Sequence, residues 1–415
     1  MNILQINTKD FGGGAAKIAL ILHQNINKEK KYRSVFFVKE KFSQDPKIFY
    51  INKHSEISKK LCKKDFVSFW DNQTKPILAN DLANFNINNL LKSEKFQKAD
   101  LIHCHNLHGL YFNLDSLVEI SKFKPVIWTL HDMWAITGHC AHSFDCNKWQ
   151  KGCHNCPYLS VYQKLFWDNT KYLWEKKKQI YQNSKLSLVV PSLWLKEKIN
   201  KSILQKQEVN LIYNGVDHNI FKKLNQKELR KKNDLPNDKK IILSFNYGSK
   251  NSWKGFEYIE KIIALPENKN CLFLLIGGEK KIKAQNIVYL NTSNKPEILN
   301  QYYNLADLFL YTSLADNFPL VIPETLATGL PVVSFSTGGI KEIITHKQNG
   351  YLAKYQNSKD LQNGINYILN LNEKKLKKMQ TENIAKIKQF FTQEIMCKNY
   401  FKLYNEVYET FCSAR

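Results

Sequence analysis

Short apolar runs and amphipathic stretches of helical period take turns along almost the whole chain. Candidate strands are Met1–Thr8, Ser34–Val38, Leu101–His105, Val126–Leu130, Leu186–Pro191 and Leu211–Tyr213 in the first half. After a polar interval come Ile241–Phe245, Cys271–Ile276, Ile287–Leu290, Leu308–Thr312 and Val332–Phe335. Helical patterns separate them, Ala15–Leu22 being the clearest. Such alternation predicts an α/β fold of parallel sheets covered by crossover helices. Because the alternation stops and restarts, two doubly wound halves facing each other are expected rather than one sheet. The Lys-rich interval 219–240 reads as the hinge and approach to the second half. Past Glu373 the period is helical again, and Phe390, Phe391, Tyr400, Phe401, Tyr404 and Tyr408 make that segment too apolar for a free tail. It is expected to pack back on the body.

A chain of 415 residues exceeds what one core usually supports, in keeping with two domains. The 43% hydrophobic and 24% charged content is ordinary for a globular protein. No apolar run approaches the roughly 20 residues of a spanning helix, and the first residues lack a secretory pattern. The expected location is the cytoplasm, where the 9 cysteines stay reduced unless they bind metal. A net charge of +24, from 61 Lys+Arg against 37 Asp+Glu, favours nucleic acid, anionic lipid or a phosphorylated small molecule as partner. It equally fits a basic surface that only keeps the protein soluble. Scarce Arg argues against base-specific DNA readout.

Chemistry concentrates where predicted strands end. After Leu308–Thr312 come two acids, Asp316 and Glu324, across a strand-to-helix turn in which Pro319 suits a first helical position. Gly329 and Pro331 stop that helix, and Thr337-Gly338-Gly339 turns the next strand into another helix. In a βαβ unit such loops lie at the carboxyl ends of parallel strands, so both acids are expected at the mouth of a binding cleft. The first strand runs into Gly12-Gly13-Gly14 and a helix, an arrangement that brings backbone amides to a phosphate or sugar. His131-Asp132 closes another strand, with His103, His105 and His108 after an earlier one as candidates to line the acceptor side. Lys254-Gly255, with Lys250 upstream, follows the first strand of the second half. A fixed cation there suits an anionic ligand.

Taken in order, Gly12-Gly13-Gly14-Ala15-Ala16, His131-Asp132, Pro191-Ser192, Asn214-Gly215-Val216-Asp217, Lys254-Gly255, Ala306-Asp307 and the acid pair resemble the glycosyltransferases of family 4 over nearly the full length. The resemblance implies the GT-B architecture: an acceptor-side Rossmann-like domain 1–218 with a Cys-rich insertion 139–157, a nucleotide-sugar-binding domain 219–395, and a helix 396–415 returning toward the first. It implies transfer of a sugar with retention from a UDP- or GDP-sugar to a glycan or lipid-linked acceptor in surface polysaccharide assembly. In its terms His131, Asp316 and Lys254 are catalytic. Asp316 and His131 face the donor sugar, and Glu324 accepts from the ribose hydroxyls. Gly13, Gly14, Lys250, Lys254, Phe318, Leu320 and Val321 complete the donor-binding set, the amides of Leu320 and Val321 holding the diphosphate. The family's first acid is usually Glu, many relatives have Gly where Pro319 stands, and an Arg commonly accompanies the Lys. Here the first acid is Asp316, and no Arg lies between Ile241 and Lys254. With no obvious nucleophile for a double displacement, a front-face route without a catalytic metal is favoured.

Cys140, Cys146, Cys153 and Cys156 can complete a tetrahedral set, the last two separated by the two-residue gap of a metal knuckle. Structural zinc, reduced buried thiols, disulfides and an iron-sulfur centre all remain open. Tyr162–Tyr181 and Lys59–Trp70 mix aromatics with lysines, as a membrane interface or a core-packed amphipathic helix would. Two competing functions fit parts of the chain: a zinc-containing nucleic-acid binder, and a GT-B epimerase or phosphorylase.

Overall fold

The computed structural model describes residues 1–51, 87–109, 111–160, 165–246, 253–278 and 285–414. The chain divides into two compact units, one made of Met1–Tyr213 with Cys397–Arg415 and the other of Asn214–Met396.

In the first unit, strands β1 (Asn2–Lys9), β2 (Arg33–Glu40), β3 (Ile48–Tyr50), β4 (Leu101–Cys104), β5 (Val126–Thr129), β6 (Ser187–Val190) and β7 (Glu208–Leu211) form a 7-stranded parallel sheet in the order β3-β2-β1-β4-β5-β6-β7. Residues of β4 and β5 are buried throughout, which is why these strands read as unbroken apolar runs. The helix Gly14–Lys28 buries Ile18, Leu22 and Ile26, the i, i+4, i+8 face expected of a helix laid on a sheet. The last helix, Gln393–Ser413, returns to this unit from Cys397 onward. There Tyr404 Oη lies 2.8 Å from His103 Nδ1 and Tyr400 Oη lies 3.0 Å from Thr129 Oγ1.

The second unit carries β8 (Ile241–Phe245), β9 (Leu272–Ile276), β10 (Ile287–Leu290), β11 (Leu308–Tyr311), β12 (Val332–Phe335) and β13 (Gly350–Ala353), a 6-stranded parallel sheet in the order β10-β9-β8-β11-β12-β13. In both sheets the chain winds one way from the central strand and then the other. The loops leaving β1 and β4, and those leaving β8 and β11, therefore diverge at a topological switch point.

Three expectations change. Residues 219–240 are not a bare hinge, because they hold the helix Gln226–Lys232 and belong to the second unit. Arg230 there is buried. It donates to the Leu305 carbonyl at 2.8 Å and to Asp307 Oδ2 at 2.9 Å, while the Ile241 amide donates to the same Oδ2 at 2.8 Å. In a lysine-rich stretch, one core-seeking arginine left no periodic signal. The strand expected at Leu211–Tyr213 is Glu208–Leu211, registered on β6 through Leu188↔Val209. The helix after Asp316 begins at Val321, so Pro319 lies in the turn before it and accepts from the Ile322 amide at 3.1 Å.

Asp307 thus ties the helix Gln226–Lys232 to the starts of β8 and β11. Removing its cation with Arg230→Ala should cost about 3 kcal/mol of stability, read as a lowered urea midpoint. A loss below about 1 kcal/mol would mean that solvent already screens the pair.

Candidate active site

In the second unit, three neighbouring strand ends meet. Lys254 Nζ lies 2.8 Å from Asp316 Oδ2, and the Tyr311 hydroxyl donates to the same oxygen at 2.8 Å. The Lys254 ammonium also lies 3.4 Å from the Tyr311 hydroxyl. Backbone stitching makes this cluster possible: the Leu314 amide donates to the Trp253 carbonyl at 2.7 Å and the Gly339 amide to the Asn317 carbonyl at 2.9 Å. Two glycines are required by close approach. At Gly255 (φ 66°) a Cβ would strike the Thr312 carbonyl, and at Gly338 (φ 53°) the Asp316 carbonyl. Phe318 is buried against Phe391, ring centroids 5.8 Å apart. Leu320 is buried and Val321 half-buried at the start of the helix Val321–Ala327. Glu324, expected at an open mouth, is buried at 2% exposure and accepts from the Tyr303 hydroxyl at 3.0 Å. Its place on that helix turns it toward the helix Pro296–Leu305 rather than toward solvent.

In the first unit, Gly12, Gly13 and Gly14 line a cavity of about 370 Å³ with Lys39, Asn106 and His108 at the ends of β1, β2 and β4. Gly12 and Gly13 have φ of 85° and 84°, which lets the chain turn from β1 into the helix. His131 begins a line of polar side chains running beneath the sheet's carboxyl edge. Its Nε2 is 3.1 Å from His105 Nδ1, and His105 Nε2 is 3.0 Å from Gln5 Oε1. Gln5 Nε2 donates to Ser34 Oγ at 2.9 Å, Ser34 Oγ lies 2.8 Å from His23 Nδ1, and His23 Nε2 is 3.4 Å from Asp45 Oδ2. An amide oxygen only accepts, so Gln5 Oε1 sets the roles along the line toward His131. Gln5 Oε1 accepts the Nε2 proton of His105, whose Nδ1 is then an acceptor. His131 then donates from Nε2 and keeps Nδ1 as an acceptor.

Family comparisons agree with this geometry. The model for Glycosyl transferases group 1 matches residues 225–386, and that for Glycosyltransferase Family 4 matches residues 65–220. The chain is a family 4 glycosyltransferase. It is 25% identical over 357 residues to WcaC of Escherichia coli K12, which carries the name of a colanic acid biosynthesis glycosyl transferase, covering 83% of this chain and 85% of that one. It is 28% identical over 197 residues to the N,N'-diacetylbacillosaminyl-diphospho-undecaprenol alpha-1,3-N-acetylgalactosaminyltransferase of Campylobacter jejuni, 45% of this chain and 50% of that one. The solved structure of Anabaena Alr3699/HepE in complex with UDP superposes with a TM-score of 0.65 at 16% identity, covering 98% of this chain and 100% of that one. The transferase therefore has the GT-B fold, and the nucleic-acid-binder and epimerase or phosphorylase readings give way.

Among the sequence-predicted residues of the transferase, Lys254 and Asp316 come together, whereas Lys250 lies outside the described residues. His103 and His105 are fully buried under the sheet edge and do not line the acceptor side. His108 lines the cavity at the glycine loop, with Nε2 3.4 Å from Asp132 Oδ2. Tyr311, Tyr303 and Gln5 went unnoticed, since each hides a polar end inside an apolar strand or helix pattern. Pro191-Ser192 proves to be a helix start: the Ser192 hydroxyl caps Leu193–Ile199 by accepting from the Leu195 amide at 3.1 Å. Asn214-Gly215-Val216-Asp217 is pinned by the Val216 amide donating to the Phe391 carbonyl at 2.9 Å.

The aromatic segment after the Cys-rich insertion divides. Leu165, Leu173 and Trp174 are core, whereas Phe166, Trp167 and Tyr172 are exposed at 60%, 50% and 53%. Its lysines are not one exposed patch. Lys176 pairs with Asp115 at 2.8 Å, and the buried Lys177 ammonium donates to the Trp134, Thr137 and Gly138 carbonyls at 2.7, 3.0 and 3.3 Å. The basic stretch near Lys59 lies outside the described residues, among which no helix is long and apolar enough to cross a membrane.

Burial lowers the pKa of His131 to about 4 against the opposing pull of Asp132, and lowers His103 to about 3. Burial also holds His105 well below its usual range. Asp132 stays below the carboxylate range although burial would raise it, because His108 and the Trp134 amide bind its ionised form. Unfolded, each imidazole titrates near 6.5. Below that pH the unfolded chain takes up protons that the folded chain refuses, so stability falls with falling pH until the folded values are reached. The slope is on the order of 1 kcal/mol per pH unit for each histidine. Unfolding midpoints should therefore drop between pH 7 and 5.5, and His103→Gln should flatten the decline. A midpoint independent of pH in this range would mean that the imidazoles are not sequestered.

Proposed function

We propose that the transferase moves a hexose-class sugar, with retention, from a UDP- or GDP-sugar to a lipid-linked or glycan acceptor in surface polysaccharide assembly. The observation that carries this reading is the Lys254–Asp316–Tyr311 cluster at the carboxyl ends of β8 and β11. The Asp316 carboxylate is an acceptor-only group suited to sugar hydroxyls, and Lys254 beside it is suited to a diphosphate. In the bound state the diphosphate competes with Asp316 for that ammonium, and the amides of Leu320 and Val321 supply neutral donors. Glu324, with one carboxylate oxygen held by the Tyr303 hydroxyl, recognises the ribose through the other. His131 meets the sugar through Nδ1, an acceptor position. On the front-face route the acceptor oxygen bonds to the anomeric carbon while the bond to the leaving phosphate breaks on the same side. The acceptor's proton passes to a phosphate oxygen, so no enzyme nucleophile and no catalytic metal is needed. Support for the donor class comes from Alr3699/HepE, solved with UDP, and support for a lipid-linked acceptor from the name of the Campylobacter relative.

A panel of UDP- and GDP-sugars tests the donor. The correct one at about 100 times its dissociation constant should stabilise the protein by about 2.7 kcal/mol. Asp316→Asn should lower kcat far more than donor affinity, and Glu324→Gln, which keeps an acceptor for Tyr303, should weaken donor binding at near-native stability. No shift with any nucleotide sugar, or equal mild effects of both variants, would refute the assignment.

The exposed Phe166, Trp167 and Tyr172, with Lys171 among them, suit a membrane surface where a lipid-linked acceptor resides. Flotation with anionic vesicles should carry the wild type and leave Phe166→Ser/Trp167→Ser behind. Equal recovery of both would remove this patch from the acceptor reading.

A further inference from the structure

Cys140, Cys146, Cys153 and Cys156 all border one small cavity of about 20 Å³, room for a single ion, which His139 and Trp149 also line. All four are free thiols. They are brought there by a segment with almost no regular structure: among the described residues between Gly138 and Asn169, only the short turn Lys148–Gln150 is helical. A stretch of that length inside a compact unit needs something beyond backbone pairing to hold its shape.

The backbone is bent in support of the thiols. Two of the few non-glycine residues with positive φ fall inside the cysteine spacings, Phe144 at 48° between Cys140 and Cys146, and Asn155 at 44° between Cys153 and Cys156. For a residue as bulky as Phe this conformation is costly and persists only where its surroundings impose it. At Asn155 the left-handed residue bends the chain within the Cys-x-x-Cys turn. Backbone donors are aimed at two of the sulfurs. The Gly138 amide donates to Cys153 Sγ at 3.2 Å, the Tyr158 amide donates to Cys156 Sγ, and His139 Nε2 lies 3.4 Å from Cys156 Sγ. N–H groups around sulfur are what a thiolate requires and a neutral thiol does not.

Charge is provided for as well. Lys148 Nζ donates to the His154 and Asn155 carbonyls at 3.1 and 2.8 Å, on one side of the turn. The buried Lys177 binds the Gly138 carbonyl on the other. Two ammonium groups offset part of the net charge of −2 that four thiolates and one divalent ion would carry, against the Asp168 carboxylate that accepts from the Cys156 amide at 2.6 Å.

We propose that Cys140, Cys146, Cys153 and Cys156 form a structural site for one soft divalent cation of the zinc class, which staples residues 138–158 behind the His131-Asp132 loop. Four sulfur ligands with no open position make a structural rather than a catalytic centre. Binding releases four thiol protons and changes no oxidation state. Among the described residues no three His, Cys, Asp or Glu side chains already stand in the geometry of an ion site. Binding therefore draws the sulfurs in around the cavity that all four border. The site is independent of the donor chemistry, and its test does not use turnover.

Full-length protein purified without chelator should contain one zinc per chain by elemental analysis. Titration with a mercurial should release that zinc in step with modification of four thiols. Cys153→Ser and Cys156→Ser should lose it, whereas Cys412→Ser, at an exposed position on the last helix, should keep it. Should the serine variants fail to fold, cobalt exchange into the wild type gives the second readout, with the intense visible absorption of a tetrahedral tetrathiolate expected. Less than about half an equivalent of metal with four reactive thiols would overturn the proposal. So would disulfides among these cysteines by mass, or the absorption of an iron-sulfur centre.

Discussion

Right-handed crossovers constrain everything else in this transferase. A parallel strand reaches its neighbour by crossing a face of the sheet, usually through a helix, and the handedness of that connection is fixed by strand twist. In each unit the chain starts at a central strand, fills one side of the sheet, then returns to fill the other. The loops after β1 and β4, and after β8 and β11, are thereby forced apart, and side chains at those strand ends cannot be covered by their own connections. The glycine loop with His108 occupies one such place, and Lys254 with Asp316 the other.

The two places solve the problem of exposed polarity differently. In the second unit opposite charges sit beside each other, Lys254 on Asp316, each about one-fifth exposed. Such a pair is stable enough to preserve the geometry and open enough to be exchanged for a ligand's charges. In the first unit His103, His105 and Gln5 are neutral and sealed. All three are fully buried, and the energetic requirement is that every donor find an acceptor. That requirement, more than charge, orients His131, because an imidazole at the end of a hydrogen-bond chain inherits its tautomer from the other end.

Much of this was legible in the residues. Strand positions followed from apolar runs, because parallel strands buried on both faces tolerate little else. The loops of interest followed from glycines that backbone contact demands, Gly255 and Gly338 among them. What stayed hidden was polar function inside apolar patterns. Tyr311 counts as a strand aromatic until its hydroxyl is found on Asp316, and Gln5 is a single amide in an apolar strand. The edge strand β3 is only three residues long and β13 opens on Gly350, so neither stands out as an apolar run, and the burial of Arg230 and Lys177 is invisible in a chain where cations are everywhere. Glu324 was recognisable as an important acid, but its enclosure by Tyr303 depends on a neighbouring helix that no local pattern specifies.

The tyrosines of the last helix bear on how the molecule is made. Tyr400 and Tyr404 complete the core around His103 and Thr129, so the first unit lacks part of its interior until residues beyond Cys397 have left the ribosome. The second unit is one uninterrupted segment and is available earlier. Vectorial synthesis usually lets the N-terminal domain fold first. Here the order of closure is inverted: the part translated first is the last to be finished, and a nascent chain carries an open sheet edge of buried histidines through most of its elongation.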